Sequence, residues 1–178
     1  MTTPIVAIIG GKKSGKTTAM QALIKELSQR GYKVAAVKHI PEKDFTIDTV
    51  NKDTWKFAMA GAKTIVSIAP NEVAIIEKAQ TSSISLDEIR EKCKGSSIIL
   101  LEGFRSLVGW REDIPKIVAV KSPEDFAEAL ESFKPIIAFT GPYNPKPSPS
   151  NPPYINVLED SVKIADIVES FLREKGII

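Results

Sequence analysis

Short apolar runs alternate along this chain with stretches whose apolar residues recur every three to four positions, the periods of buried strands and of helices packed on one side. Residues 5–9 form the first apolar run, and over residues 16–30 Met20, Leu23, Ile24 and Leu27 fall on one helical face. After Gly31, residues 33–38 read as a second buried strand, followed by a polar loop over 39–51. A short helix over 53–60 closes at Gly61, and two strand-like runs, 64–69 and 72–77, are separated only by Pro70-Asn71, which predicts a hairpin. Ser85-Leu86-Asp87-Glu88 opens a helix to about Lys92, and residues 97–101 form a strongly apolar strand ending in Glu102-Gly103. Strands over 116–120 and 135–139 bracket a helix over 123–133 with Pro at its first turn, and an amphipathic helix over 160–174 closes at Gly176. Strands alternating with helices predict an α/β fold, a mostly parallel sheet flanked by helices with a β-hairpin addition, and ligands at the carboxyl ends of the strands.

Between the first strand and the first helix stands Gly10-Gly11-Lys12-Lys13-Ser14-Gly15-Lys16-Thr17, which matches the phosphate-loop pattern G-x-x-x-x-G-K-[ST] in its required context. The fold expected is therefore P-loop NTPase-like. A wide turn containing glycine lets successive N–H groups point inward as an anion nest, and the following helix adds its positive end. In this arrangement Lys16 reaches the β- and γ-phosphates, Thr17 offers its hydroxyl to Mg²⁺, and Thr18 touches the α-phosphate. A Gly/Lys-rich surface turn is the bland alternative, which the flanking strand and helix disfavour.

Such a loop needs an acidic group at the tip of a neighbouring strand, and Glu102 after Ile98-Ile99-Leu100-Leu101 has that position; a solvated strand-end carboxylate is the competing reading. Asp48, in the loop after the second strand, is a candidate for sensing the metal and γ-phosphate, with Asp44 a second choice and ordinary turn chemistry the alternative for both. Lys38, His39, Arg105 and Arg111 are weaker candidates for phosphate contacts. Asn51-Lys52-Asp53 begins like the guanine-reading N-K-x-D motif but carries Asp one place early. A base-reading loop fits better after a late strand, at Phe139-Thr140-Gly141 with Tyr143 and Asn144 beyond.

Composition narrows the picture. At 178 residues the chain suits one domain over 1–178, and a formal charge of +2, with lysines interspersed among acids, gives no basic patch for nucleic acid. No apolar run approaches the ~20 residues that span a bilayer, and Met1-Thr2-Thr3-Pro4 leads directly into the first strand, so a cytoplasmic location without membrane contact is expected. The lone Cys93 reads as a small packed residue, and six prolines make residues 141–153 a stiff loop.

The phosphate loop, Lys38-His39, Asp44-Phe45-Thr46-Ile47-Asp48-Thr49, Lys52-Asp53-Thr54-Trp55, Ala60-Gly61-Ala62, Leu101-Glu102-Gly103-Phe104 and Pro115-Lys116-Ile117, taken in order, resemble the molybdopterin-guanine dinucleotide biosynthesis protein B (MobB) family over about two-thirds of the chain. The resemblance implies a GTP-binding accessory protein with slow Mg²⁺-dependent GTP hydrolysis, commonly a homodimer. It would assist a separate molybdopterin guanylyltransferase in attaching GMP to molybdopterin. By motif position it implies phosphate and Mg²⁺ roles for Gly10, Gly15, Lys16 and Thr17, with Asp48 and Glu102 as the acidic groups. Where family members often carry extra histidines after Lys-His, this chain has Ile40-Pro41-Glu42-Lys43, so a histidine-dependent role of that loop is not expected to carry over. A small-molecule kinase and a non-hydrolysing nucleotide scaffold are the competing readings on the same loop. The apolar hairpin is the candidate surface for pairing between subunits.

Overall fold

A computed structural model describes residues 2–178. Contacts divide the chain into two units: the first runs to His39 and resumes over Leu86–Ile178, and the second is Ile40–Ser85.

The first unit is built on a five-stranded, wholly parallel sheet: β1 (Ile5–Gly10), β2 (Val34–Lys38), β5 (Ile98–Glu102), β6 (Lys116–Ala119) and β7 (Ile136–Thr140), in the order β2-β5-β1-β6-β7. Both faces of a parallel sheet must be covered, which is why these strands are continuous apolar runs. On one face, Val6, Ile8, Ile98 and Leu100 pack against Ala19, Met20, Leu23 and Leu27 of α1 (Lys16–Gln29) and Ile164, Val168 and Leu172 of α6 (Ser161–Glu174). Ile5, Ile9, Ile99 and Leu101, which alternate with them, are buried as well. From α5 (Pro123–Ser132), Phe126 meets Phe139 of β7 with ring centroids 4.6 Å apart. Polar side chains set the starts of two helices: Ser122 accepts from the Asp125 N–H before α5, and Asp160 accepts from the Lys163 N–H before α6. Also in this unit are α3 (Leu86–Lys92) and α4 (Arg105–Val108). The pattern at 105–108 gave no sign of the latter, since four residues are too few for a helical period to show.

The proline-rich segment returns along the outer edge of β7. Phe139 donates its N–H to Pro153 O and accepts from the Ile155 N–H, both at 2.8 Å, so the edge is closed by residues 153–155. This return brings residues 154–158 alongside the carboxyl end of β7.

The second unit contains α2 (Asp53–Met59) and the antiparallel pair β3 (Thr64–Ala69) and β4 (Glu72–Glu77), the hairpin expected from its two-residue connection. Val66 pairs with Ile75 and Ile68 with Val73, so the four side chains share one face, and all four are exposed. Among the described residues no helix is long and apolar enough to cross a membrane.

Candidate nucleotide site

From β1 the sheet extends through β5 to β2 on one side and through β6 to β7 on the other. The carboxyl end of β1 is thus where the strand order reverses, the usual ligand position in open α/β sheets. Gly10 ends that strand because β6 comes too close for any side chain: a Cβ there would lie 2.3 Å from Ala119 O. The chain then makes its turn through left-handed Lys13 (φ 62°) and Gly15 (φ 92°) into α1.

Inside the turn, the buried Ser14 hydroxyl donates to Gly11 O at 3.0 Å, and Lys16 Nζ folds back to donate to the same carbonyl at 2.5 Å. Lys121 Nζ, a residue not singled out by its sequence context, braces the loop from outside by donating to Lys12 O at 3.1 Å. No side chain caps the start of α1, and its first turn holds no acid. Its free N–H groups and positive end are left for an anion. Burial, the largest effect, pushes the Lys16 ammonium below its ordinary value; Glu102 opposes this, and the charges of Lys38 and Lys121 add to it. An anionic ligand would relieve the repulsion among these lysines. Lys13, Ser14, Gly15, Lys16, Thr17 and Thr18 line a space of about 240 Å³.

Glu102 is buried at the end of β5, beside Lys38 of β2 and Ile8 of β1 in the strand register. Thr17 Oγ1 lies 3.2 Å from each of its carboxylate oxygens, and Lys38 Nζ lies 3.2 Å from Oε1. Lys16, Thr17, Lys38 and Glu102 are therefore brought together, and Glu102 is not the solvated strand-end acid of the competing reading. A hydroxyl and a carboxylate side by side form the hard-oxygen donor set that suits Mg²⁺, so the residues present fit that ion.

Other candidates are differently engaged. Arg105 pairs with Glu128 and stacks over Phe133 at 5.0 Å, while Arg111 holds Asp113 through two bonds of 2.8 and 2.9 Å. His39 packs its ring 5.2 Å from that of Phe104. Asp48 lies in the second unit, where Oδ1 accepts from the Thr49 N–H and the Thr54 hydroxyl, both at 2.8 Å, and Oδ2 is buried without a partner. Asp53, one place early for guanine reading, pairs with Lys56 at 3.2 Å. Burial pushes the Cys93 thiol up, the opposite of what an activated thiolate requires.

The parallel sheet, the strand-loop-helix cradle and the acidic strand tip define a P-loop NTPase-like protein. Within that class, the family model described as molybdopterin guanine dinucleotide synthesis protein B (MobB) matches residues 5–141, and the chain belongs to this family. It is 32% identical over 117 residues to the molybdopterin-guanine dinucleotide biosynthesis adapter protein of Haemophilus influenzae, covering 65% of this chain and 62% of that protein. To the putative adapter protein of Methanocaldococcus jannaschii it is 29% identical over 142 residues, 79% of this chain and 56% of the relative. The chain thus spans less than two-thirds of the length of these relatives. Among solved structures, a crystal structure of molybdopterin-guanine biosynthesis protein B superposes with a TM-score of 0.69 at 25% identity, covering 95% of this chain and 99% of the other. Bacillus subtilis MobB shares the fold with a TM-score of 0.72 at 23% identity, covering 94% and 96%.

Proposed function

We propose that this chain binds Mg²⁺-GTP on the 10–18 loop and serves as a slow-hydrolysing GTP-binding adapter in molybdopterin-guanine dinucleotide synthesis. The observation that carries the nucleotide reading is the Thr17 hydroxyl set against the buried Glu102 carboxylate beside Lys16. Family membership and the printed names of the relatives support the pathway. The loop N–H groups and Lys16 hold the β- and γ-phosphates, Thr17 ligates Mg²⁺, and Glu102 supports that ion directly or through water. When bound, Mg²⁺ neutralises charge developing on the phosphates. Asp48 keeps its proposed part in the metal site on the family resemblance alone.

Slow turnover is part of the same proposal, supported by the pairing of Arg105 with Glu128 and of Arg111 with Asp113 rather than with groups of the phosphate loop. The same engagement disfavours the kinase reading, which needs mobile arginines over an acceptor. The proposed partners are a molybdopterin guanylyltransferase, molybdopterin itself, and a second copy of the chain through the exposed apolar face of the hairpin; a cytoplasmic setting is part of the same proposal. Glu102→Gln tests the site. It should spare GTP affinity within a few-fold and lower hydrolysis by about tenfold or more, the scale of one electrostatic group in phosphoryl transfer. Unchanged GTP turnover in Glu102→Gln would contradict the assignment.

A further inference from the structure

A second space, of about 320 Å³, opens beside the phosphate loop and shares Gly15 and Thr18 with it. Its far wall is made by the end of β7 and by residues 154–158, and Tyr154 ties these two pieces together by donating its hydroxyl to Gly141 O at 2.5 Å. A triphosphate seated on the loop has its nucleoside end on this side, because Thr18, the residue nearest the α-phosphate in such loops, faces both spaces. We propose that this cavity is the guanine subsite of the nucleotide site and that Asn156 is its base-reading residue; the inference rests on the phosphate-loop reading above.

Three features of the wall carry it. Pro142 and the exposed Leu158 offer apolar surface for the flat faces of a base. Thr140 lines the same wall, and its Oγ1 is buried without a hydrogen-bond partner. Asn156 supplies the discrimination. Its Oδ1 accepts from the Leu158 N–H at 3.2 Å, and because a backbone N–H can only donate, the oxygen must face it. What the side chain offers the cavity is therefore its NH₂ group, a donor. Guanine presents two acceptors on one edge, O6 and N7, whereas adenine presents its N6 donor beside N7. The Asn156 donor in the wall favours guanine, because adenine would set its N6 donor against it, whereas the Thr140 hydroxyl can donate or accept and so discriminates less.

Of the late loop expected from sequence to read the base, Thr140 and Gly141 line this cavity, as does Asn156, whereas Tyr143 and Asn144 are not part of its lining.

Calorimetric titration of inorganic tripolyphosphate, GTP and ATP, each with Mg²⁺, into wild type and Asn156→Asp tests this. Aspartate keeps an acceptor for the Leu158 N–H, so the turn is preserved, but replaces the NH₂ with a second acceptor. Its added charge opposes both nucleotides alike, so the GTP/ATP affinity ratio is the readout. We expect wild type to bind GTP at least tenfold more tightly than ATP or tripolyphosphate, and the ratio to fall at least tenfold in Asn156→Asp. An unchanged ratio in the variant overturns the assignment of Asn156. GTP binding no tighter than tripolyphosphate overturns the subsite while leaving the phosphate loop standing, and failure of wild type to bind tripolyphosphate or either nucleotide overturns both.

Discussion

Gly141 is where the end of β7 presses on both β6 and the phosphate loop, and replacing it with alanine measures how tightly those elements are held. The added Cβ would lie 2.3 Å from Val120 O, 2.7 Å from Ser14 O and 2.8 Å from Val120 N, all backbone atoms that no side-chain rotation can move away. Its φ of 111° adds backbone strain. Gly31 is a matched control, because at φ 89° it carries comparable strain, yet a methyl group added there would meet nothing within 4 Å. The conformational cost alone is about 1–2 kcal/mol, and overpacking adds about 1–3 kcal/mol. Gly141→Ala should therefore be less stable than Gly31→Ala by about 2 kcal/mol, which at a slope of roughly 2 kcal/mol per molar corresponds to a urea midpoint about 1 M lower. Because the methyl group wedges against the Ser14 carbonyl inside the loop, triphosphate affinity should fall with it, whereas Gly31→Ala should bind like wild type. Equal midpoints for the two variants would refute the claim that β7, β6 and the loop are packed backbone to backbone.

Two further outcomes are expected. Burial pushes the Lys116 ammonium down to about 8 from an ordinary 10.5, with Asp113 and Glu112 opposing and Arg111 adding to the effect; its Nζ donates to the carbonyls of Arg111 and Lys134. Between those pH values the unfolded chain holds more protons, so this residue makes stability rise with pH there and is fully unfavourable below the folded value. The stability of wild type relative to Lys116→Met, from urea midpoints, should thus climb from about pH 8 to 10.5, by at most about 1.4 kcal/mol per pH unit and less where water screens the amine; a flat difference would contradict the burial of the charge. On the hairpin, Ile68→Asp with Val73→Asp places two charges opposite one another on the exposed apolar face. Light scattering should show a dimer in wild type and a monomer in the double variant, and a wild-type monomer at micromolar concentration would remove this face as the subunit contact.

The parallel sheet, its helices and the phosphate loop were legible because each rests on local pattern: apolar runs for β1 and β5, the spacing of Met20, Leu23 and Leu27, and glycines where the backbone must turn. Glu102 could be chosen from its place after an apolar run, and its burial against Thr17 confirms that the strand tip faces the loop. What sequence could not give arises from long-range approach. Lys121 reaches Lys12, and Asn156 joins Thr140 only because residues 153–155 close the edge of β7. Nor did pattern show that Lys116, at the start of a strand, is wholly buried, since the carbonyls that satisfy it come from Arg111 and Lys134 on separate segments. Arg105 and Arg111 were weak candidates because surface arginines are usually solvated; in the fold Arg105 pairs with the distant Glu128, and Arg111 with Asp113 two residues on.

Calorimetric titration of the protein with Mg²⁺-GTP beside Lys16→Ala tests the phosphate loop most directly. Lys16 is the charged donor held inside the loop, and charge-assisted hydrogen bonds contribute about 1.5–3 kcal/mol each, so the variant should bind roughly ten- to a hundredfold more weakly. Wild-type affinity in Lys16→Ala would mean that this loop does not hold the triphosphate.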